Sequence, residues 1–196
     1  MSVFIKKNSS FIYLIRIIFV LFIAVYILFR ILDTFDLFIE TIDCGAEQIE
    51  TGKKNSYYIA NGYAFDNAYY QSTEKVFEGN YAIKLDPTTP FGFSITFDVP
   101  LSGEKFEATV WAYADSLRKE DGFFSLVATS GDKFWICSTD VLEQKNGWQK
   151  LSINFAIPDK IYTDPIVFYC WNNSKRVVFF DNLQIKKKNY WKYFKM

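Results

Sequence analysis

The 196-residue chain contains no histidine. This absence excludes Ser-His and Cys-His nucleophiles, imidazole acid–base catalysis and the usual zinc and copper sites. Carboxylates alone can support catalysis, and Glu104 with Glu107 or Glu120 with Asp121 would be the candidate pairs for a hydrolase. Both pairs lie beside predicted turns, where acids are usually solvated, and no phosphate-binding glycine loop or nucleophile elbow is present. We therefore predict a protein that is not an enzyme.

Cysteine is also scarce, and net charge is absent. Cys44, Cys137 and Cys170 match neither a disulfide framework nor a zinc-binding spacing. A Cys137–Cys170 bridge and two buried free thiols both remain open. The 22 basic and 22 acidic residues cancel, so nothing indicates a nucleic-acid partner.

The strongest positive signal is an apolar run over residues 11–32. Fifteen residues between Phe11 and Phe29 are Leu, Ile, Phe or Val, and Arg16 carries the only charge. A bilayer needs roughly 20 such residues, so we predict a transmembrane helix. A cleaved signal peptide is the alternative, but no small-x-small cleavage site follows the run. The run therefore favours an uncleaved signal anchor.

Flanking charges predict the orientation of this single-pass anchor. Lys6 and Lys7 precede the run, whereas several acids follow it, so residues 1–10 are expected in the cytoplasm and the remaining chain outside it. Residues 33–42 are interpreted as a short amphipathic stalk. Residues 187–196 form a basic, aromatic tail that either rests on the membrane surface or is solvated.

Residues 43–186 alternate between apolar and polar side chains almost throughout, as strands with one buried face do. Turn dipeptides such as Asn146-Gly147 separate the runs. We predict an all-β antiparallel sandwich of the jelly-roll type, preceded by the transmembrane helix. The predicted strands cover residues 57–62, 69–75, 81–86, 91–99, 105–114, 122–129, 133–140, 148–157, 165–172 and 176–186.

Four stretches within this domain carry a family resemblance. They are residues 43–47 (DCGAE), 72–85 (STEKVFEGNYAIKL), 146–151 (NGWQKL) and 178–185 (VFFDNLQI). In this order and spacing they resemble carbohydrate-binding modules of the galactose-binding-like jelly roll (CenC-like), a group that includes many glucan- and xylan-binding modules.

The resemblance implies two sites. The first is a structural calcium ion, for which the matching positions are Glu47, Gly79, Asn80 and Asp181; hard oxygen ligands suit calcium. The alternative is that Asp181 only ends a strand and Glu47 is a solvated acid. The second is a sheet face whose aromatic rings bind sugars. Strand parity places five aromatic residues opposite the buried side chains: Trp111, Tyr113, Trp135, Tyr169 and Trp171. Ordinary strand packing would also explain these aromatics. Trp148 opens a strand after a turn and is predicted to be structural.

The sequence thus favours a membrane-anchored, outward-facing module of the cell envelope that binds a glycan through an aromatic sheet face. A structural or protein-interaction sandwich with no glycan ligand is the alternative.

Overall fold

We describe the chain from a computed structural model, in which two units, residues 1–39 and 40–196, are each compact. The described residues are 3–34, 39–51, 56–60, 62–98, 103–116, 118–138, 140–158 and 164–188. The predicted tail beyond Lys188 lies outside the described residues.

The first unit is a helix, α1, over Val3–Thr34. Its segment Phe11–Ile31 has a mean hydropathy of 2.8, and none of this segment is buried. A helix of this length and composition is long and apolar enough to cross a bilayer. It coincides with the apolar run that the sequence singles out.

Fourteen strands follow among the described residues. Their bounds are β1 Ile39–Cys44, β2 Ile49–Thr51, β3 Ser56–Ala60, β4 Tyr63–Phe65, β5 Gln71–Ser72, β6 Ala82–Leu85, β7 Phe91–Phe97, β8 Lys105–Ala114, β9 Gly122–Ser130, β10 Phe134–Ser138, β11 Val141–Lys145, β12 Trp148–Ala156, β13 Ile166–Ser174 and β14 Val178–Lys188. Short 3-10 turns lie at Ala68–Tyr70 and Lys119–Asp121.

The strands form two main sheets. A seven-stranded sheet has the order β11-β12-β8-β14-β6-β5, with β1 also pairing with β14. A four-stranded sheet has the order β10-β9-β13-β7, and β2-β3-β4 form a small third sheet. The successive strands in the orders of the two main sheets pair antiparallel. The predicted all-β antiparallel sandwich is confirmed.

One hydrophobic core fills the space between the two main sheets. On β8 the side chains of Phe106, Ala108 and Val110 are buried in it, as the alternating pattern predicts. Phe106 packs against Phe97 and Phe168 of the other sheet, with ring centroids 5.6 and 5.4 Å away. Aromatic packing across the sheets thus fixes which faces point outward.

The predicted stalk is wrong for its last four residues, 39–42. They belong to β1, which pairs with β14, and Ile42 is fully buried in the core. Glu40 accepts a 2.6 Å hydrogen bond from the Tyr63 hydroxyl. Residues 35–38 of the stalk lie outside the described residues.

The structure also differs from the predictions for one strand and for Glu104. Only Gln71 and Ser72 of the predicted strand 69–75 are extended, and they follow a 3-10 turn. Glu104, expected to be solvated, is 3% exposed and lies 3.5 Å from the Lys187 ammonium.

The three cysteines are free thiols. Cys137 and Cys170 lie on β10 and β13, which β9 separates, and Cys170 is in the core. The bridge left open by the sequence is therefore absent. Burial raises the pKa of Cys44 to about 12 and that of Cys170 well above its usual value.

Candidate functional site

The five aromatic residues predicted as one platform belong to two different sheets. Trp111 and Tyr113 lie on β8 of the seven-stranded sheet, whereas Trp135, Tyr169 and Trp171 lie on β10 and β13 of the four-stranded sheet. The single platform is therefore wrong. Alternation along a strand shows which side chains face away from the core, but it does not show which sheet the strand joins.

Trp111 is also covered. The segment before β6 folds over the outer face of the seven-stranded sheet, and the Phe77 ring stacks on Trp111 at 4.1 Å with planes 17° apart. Only 7% of Trp111 is exposed. Tyr113 packs beside Trp148 in the same small outer cluster, and Trp148 itself is buried. We assign Trp111 to packing of this covering segment rather than to an open aromatic surface.

The remaining three predicted residues share the outer face of the four-stranded sheet. Trp135 lies opposite Thr129 on β9, and Thr129 lies opposite Val167 on β13. Tyr169 and Trp171 continue along β13 on the same parity as Val167. Trp135 is 55% exposed. The three rings therefore lie on one face of the four-stranded sheet, at three successive levels of cross-strand pairs.

Two further aromatics on this face were missed by the sequence analysis. The Phe91 ring lies 5.6 Å from Tyr169, and the Phe123 ring lies 5.3 Å from Trp171, both edge to face. By the alternation of apolar and polar residues in the predicted strand 91–99, Phe91 would share the buried face with Phe93. A register shift in the β7–β13 pairing, together with a positive φ of 47° at Phe93, turns Phe91 outward to pair with Trp171. The five rings Phe91, Phe123, Trp135, Tyr169 and Trp171 are called the aromatic face below.

The polar groups among these rings are uncharged. The outward positions of β7, β9, β10 and β13 carry no Asp, Glu, Lys or Arg in the described strands. Hydroxyl, thiol and amide side chains occupy the polar positions that remain accessible: Ser94, Thr96, Thr129, Cys137 and Asn173. Ser125 also lies on this face but is fully buried, and its hydroxyl donates a 3.0 Å hydrogen bond to the Ser138 carbonyl oxygen. The aromatic face therefore offers flat apolar rings beside neutral hydrogen-bonding groups.

A cavity of about 390 Å³ lies at the Trp171 end of the aromatic face. Glu120, Lys175 and Asn173 are among its lining residues. Gly122 shapes this end because its φ is +100° and a Cβ there would lie 2.3 Å from the Asn173 carbonyl oxygen. The cavity extends the face with charged groups at one end.

Asn172, the first residue of an Asn-Asn-Ser glycosylation sequence, is not available for modification. It is 2% exposed, and its Nδ2 donates hydrogen bonds to the carbonyl oxygens of Leu85 and Arg176 at 3.2 and 2.8 Å. Its amide therefore holds the end of β13 against neighbouring backbone.

The residues predicted for calcium come together at the covering segment. Asp181 Oδ2 accepts hydrogen bonds from the backbone N–H groups of Phe77 and Glu78, at 2.8 and 3.1 Å. Glu47 Oε1 accepts from the backbone N–H groups of Asn80 and Tyr81, at 2.9 and 3.0 Å. A Cβ at Gly79 would clash with the Glu47 carboxylate, and the φ of Gly79 is +77°. The two carboxylates thus fix the segment to the sheet.

The electrostatics of this cluster bear on the calcium prediction. Burial, with a smaller contribution from the nearby Glu47 charge, raises the pKa of Asp181 to about 6. Among the described residues no three Asp, Glu, Cys or His side chains form a metal-holding group. The amide donors account for both carboxylates without a cation, so calcium stays a prediction.

Calcium binding has a direct test. If calcium binds both carboxylates, it relieves their repulsion and raises the melting temperature of the full chain by several degrees, because a ligand specific for the folded state stabilises it. Scanning fluorimetry with calcium and with a chelator measures this. An unchanged melting temperature in both conditions would contradict a calcium site.

No family model and no curated protein matches the chain. Similar solved structures include a family 16 carbohydrate-binding module (16% identity, 64% of this chain, 86% of that chain, TM-score 0.40). A xylan-binding CBM22-1 domain from Paenibacillus barcinonensis Xyn10C is 14% identical over 76% of this chain and 95% of that chain, with TM-score 0.43. A structure described as "CBM4 structure and function" is 14% identical over 74% and 80%, with TM-score 0.35. Carbohydrate-binding modules, the group that the four sequence stretches resemble, are thus among the similar structures.

Proposed function

We propose that the chain is a non-catalytic glycan-binding module whose ligand lies along the aromatic face. The observation that carries this proposal is that five aromatic rings and only uncharged polar side chains share one outward sheet face. Pyranose rings present flat C–H surfaces that pack on aromatic rings, while their hydroxyls donate and accept hydrogen bonds. The aromatic face supplies both kinds of group.

The exposed fraction of each ring indicates its role in glycan binding. Trp135 and Phe91 are 55% and 48% exposed, so their rings offer open surface for stacking. Trp171 and Tyr169 are half-buried and are braced edge to face by Phe123 and Phe91. Braced rings lose little conformational freedom on binding, which favours affinity.

A glycan array with the full chain in lipid nanodiscs tests this function. We expect retention on one or more neutral polysaccharides, and loss of that retention in the double variant Tyr169→Ala/Trp171→Ala. The absence of binding to every glycan on the array would contradict the proposal.

A protein-docking surface is the second candidate, and the exposure of Trp135 and Phe91 favours it. Exposed aromatic patches also mark protein interfaces. In this case the aromatic face would bind an envelope protein and no glycan. A chain that fails on the array but is crosslinked to an envelope protein through a photoreactive residue at position 135 would favour docking.

We further propose that α1 anchors the module in a membrane with the sandwich outside the cytoplasm. The support is the hydropathy of Phe11–Ile31 and the lysines before it, set against the acids after it. After alkaline carbonate extraction the chain should stay with the membranes. In intact cells an impermeant protease should digest the sandwich. Release by carbonate, or full protection from the protease, would contradict the anchor or its orientation, respectively.

A further inference from the structure

A separate polar cavity lies on the outer face of the seven-stranded sheet, and the proposed function does not use it. Its volume is about 310 Å³, which is at the small end of ligand-binding pockets. Its walls come from β1, β8, β12, β14 and the covering segment before β6. The side chains that line it include those of Asp43, Glu78, Trp111, Lys150, Asn182 and Gln184.

A bulge in β14 builds the cavity. The register between β14 and β8 shifts between Asp181 and Gln184, and Asn182 has a φ of 48°. The extra residue turns Asn182 toward Glu78 on the covering segment, to whose Oε2 its Nδ2 donates a 2.7 Å hydrogen bond. Bulges of this kind re-aim side chains and are frequent beside functional sites.

The carboxylates at the cavity are oriented by amides. Gln184 Nε2 donates to Asp43 Oδ1 at 2.7 Å, so Asp43 is held from the neighbouring strand in the same way that Asn182 holds Glu78. Carboxylate oxygens retain further acceptor capacity after one such bond. On the β12 side, Lys150 lies with its Nζ 5.8 Å from the centre of the Trp111 ring. Hydrogen-bond donors and acceptors therefore line the same cavity.

The charges select the kind of ligand. Two carboxylates, Asp43 and Glu78, disfavour an anion. The Lys150 ammonium shares the cavity with them, and no three Asp, Glu, Cys or His side chains in the part of the chain that the structure describes form a metal-holding group. A neutral molecule rich in hydroxyls satisfies both kinds of charge, because each hydroxyl donates to a carboxylate or accepts from an ammonium. We propose that this cavity is a second binding site, which takes a single neutral sugar residue of hexose size.

This site is independent of the aromatic face. The two lie on the outer faces of opposite sheets of the sandwich, and no residue is shared between them. A domain with both sites holds two glycan segments at once, which raises its overall affinity for a dense glycan layer.

The test uses the full chain in nanodiscs and free hexoses as probes: D-glucose, D-galactose, D-mannose and N-acetyl-D-glucosamine. Isothermal titration calorimetry and saturation-transfer NMR should detect at least one of them. Asp43→Asn should weaken that binding about tenfold. Glu143→Gln, an equal charge change on the exposed edge strand β11, should leave it unchanged.

Other outcomes would overturn the proposal. Loss of hexose binding in Tyr169→Ala/Trp171→Ala, with Asp43→Asn unaffected, would place the sugar on the aromatic face. Failure of all four hexoses to bind would overturn the second site even if the array shows polysaccharide binding. Binding of inorganic phosphate or calcium that Asp43→Asn abolishes, without any hexose, would show that the charge argument is wrong.

Discussion

We expect Trp171→Ala to lower the affinity of the full chain for its best polysaccharide about 30-fold. This corresponds to about 2 kcal/mol, the usual loss for an aromatic residue at the centre of an interface. Trp171 lies opposite Phe91 and Ser125, so it is central to the aromatic face, and the Phe123 ring braces it at 5.3 Å. Affinity electrophoresis or calorimetry against the polysaccharide identified on the array measures the change.

Two variants control this result. Tyr113→Ala removes an aromatic residue from the other sheet and should leave the affinity within about twofold. Trp171→Phe retains a flat ring and should recover most of the loss. If Trp171→Ala and Tyr113→Ala reduce affinity equally, while both variants stay folded by circular dichroism, the aromatic face is not the glycan site.

We expect Asp181→Ala to lower the unfolding free energy of the sandwich by on the order of 3 kcal/mol at neutral pH. The carboxylate accepts backbone hydrogen bonds from Phe77, Glu78 and Asn182, and its removal leaves these donors without their partner. An unsatisfied buried donor costs about 1–3 kcal/mol. Urea unfolding followed by tryptophan fluorescence measures the loss, and Asp132→Ala, at an exposed aspartate, should be close to neutral.

The same residue predicts a pH dependence of stability. Because the pKa of Asp181 is raised from 3.8 to about 6 in the folded state, the folded chain binds a proton there that the unfolded chain does not bind between these values. This group therefore adds stability as the pH falls from about 6 to 4, by up to about 3 kcal/mol. The stability difference between the wild-type chain and Asp181→Ala should widen over that range. A constant or shrinking difference would contradict the raised pKa.

The sheet core was predictable because it depends on a repeating pattern. Long half-buried strands such as β8 and β12 alternate so regularly that their bounds and inward faces follow from the sequence. The edge strand β11 was missed because all five of its residues are exposed, so it has no buried face to detect. Residues 39–42 of β1 were assigned to the stalk because the acidic residues there obscure the alternating pattern of a strand, in which Ile42 and Cys44 are buried.

The candidate site was only partly predictable, for a different reason. The alternation of side chains along the strands correctly predicted that Trp135, Tyr169 and Trp171 point away from the core. It also predicted that Trp111 belongs to the open platform, whereas a segment distant in sequence covers Trp111. The outward position of Phe91 was not predicted because a bulge locally reverses which residues of its strand face outward. Strand partners, covering loops and bulges depend on tertiary contacts, which a local pattern does not contain.

Hydrogen–deuterium exchange of the full chain in nanodiscs, with and without the best-binding neutral polysaccharide, tests the glycan-binding function most directly. We predict slower exchange in β7, β9 and β13, which carry the rings of the aromatic face, and the same exchange in β8 and β12 of the opposite sheet. Protection confined to the seven-stranded sheet, or no protection at a saturating glycan concentration, would contradict the proposed glycan site.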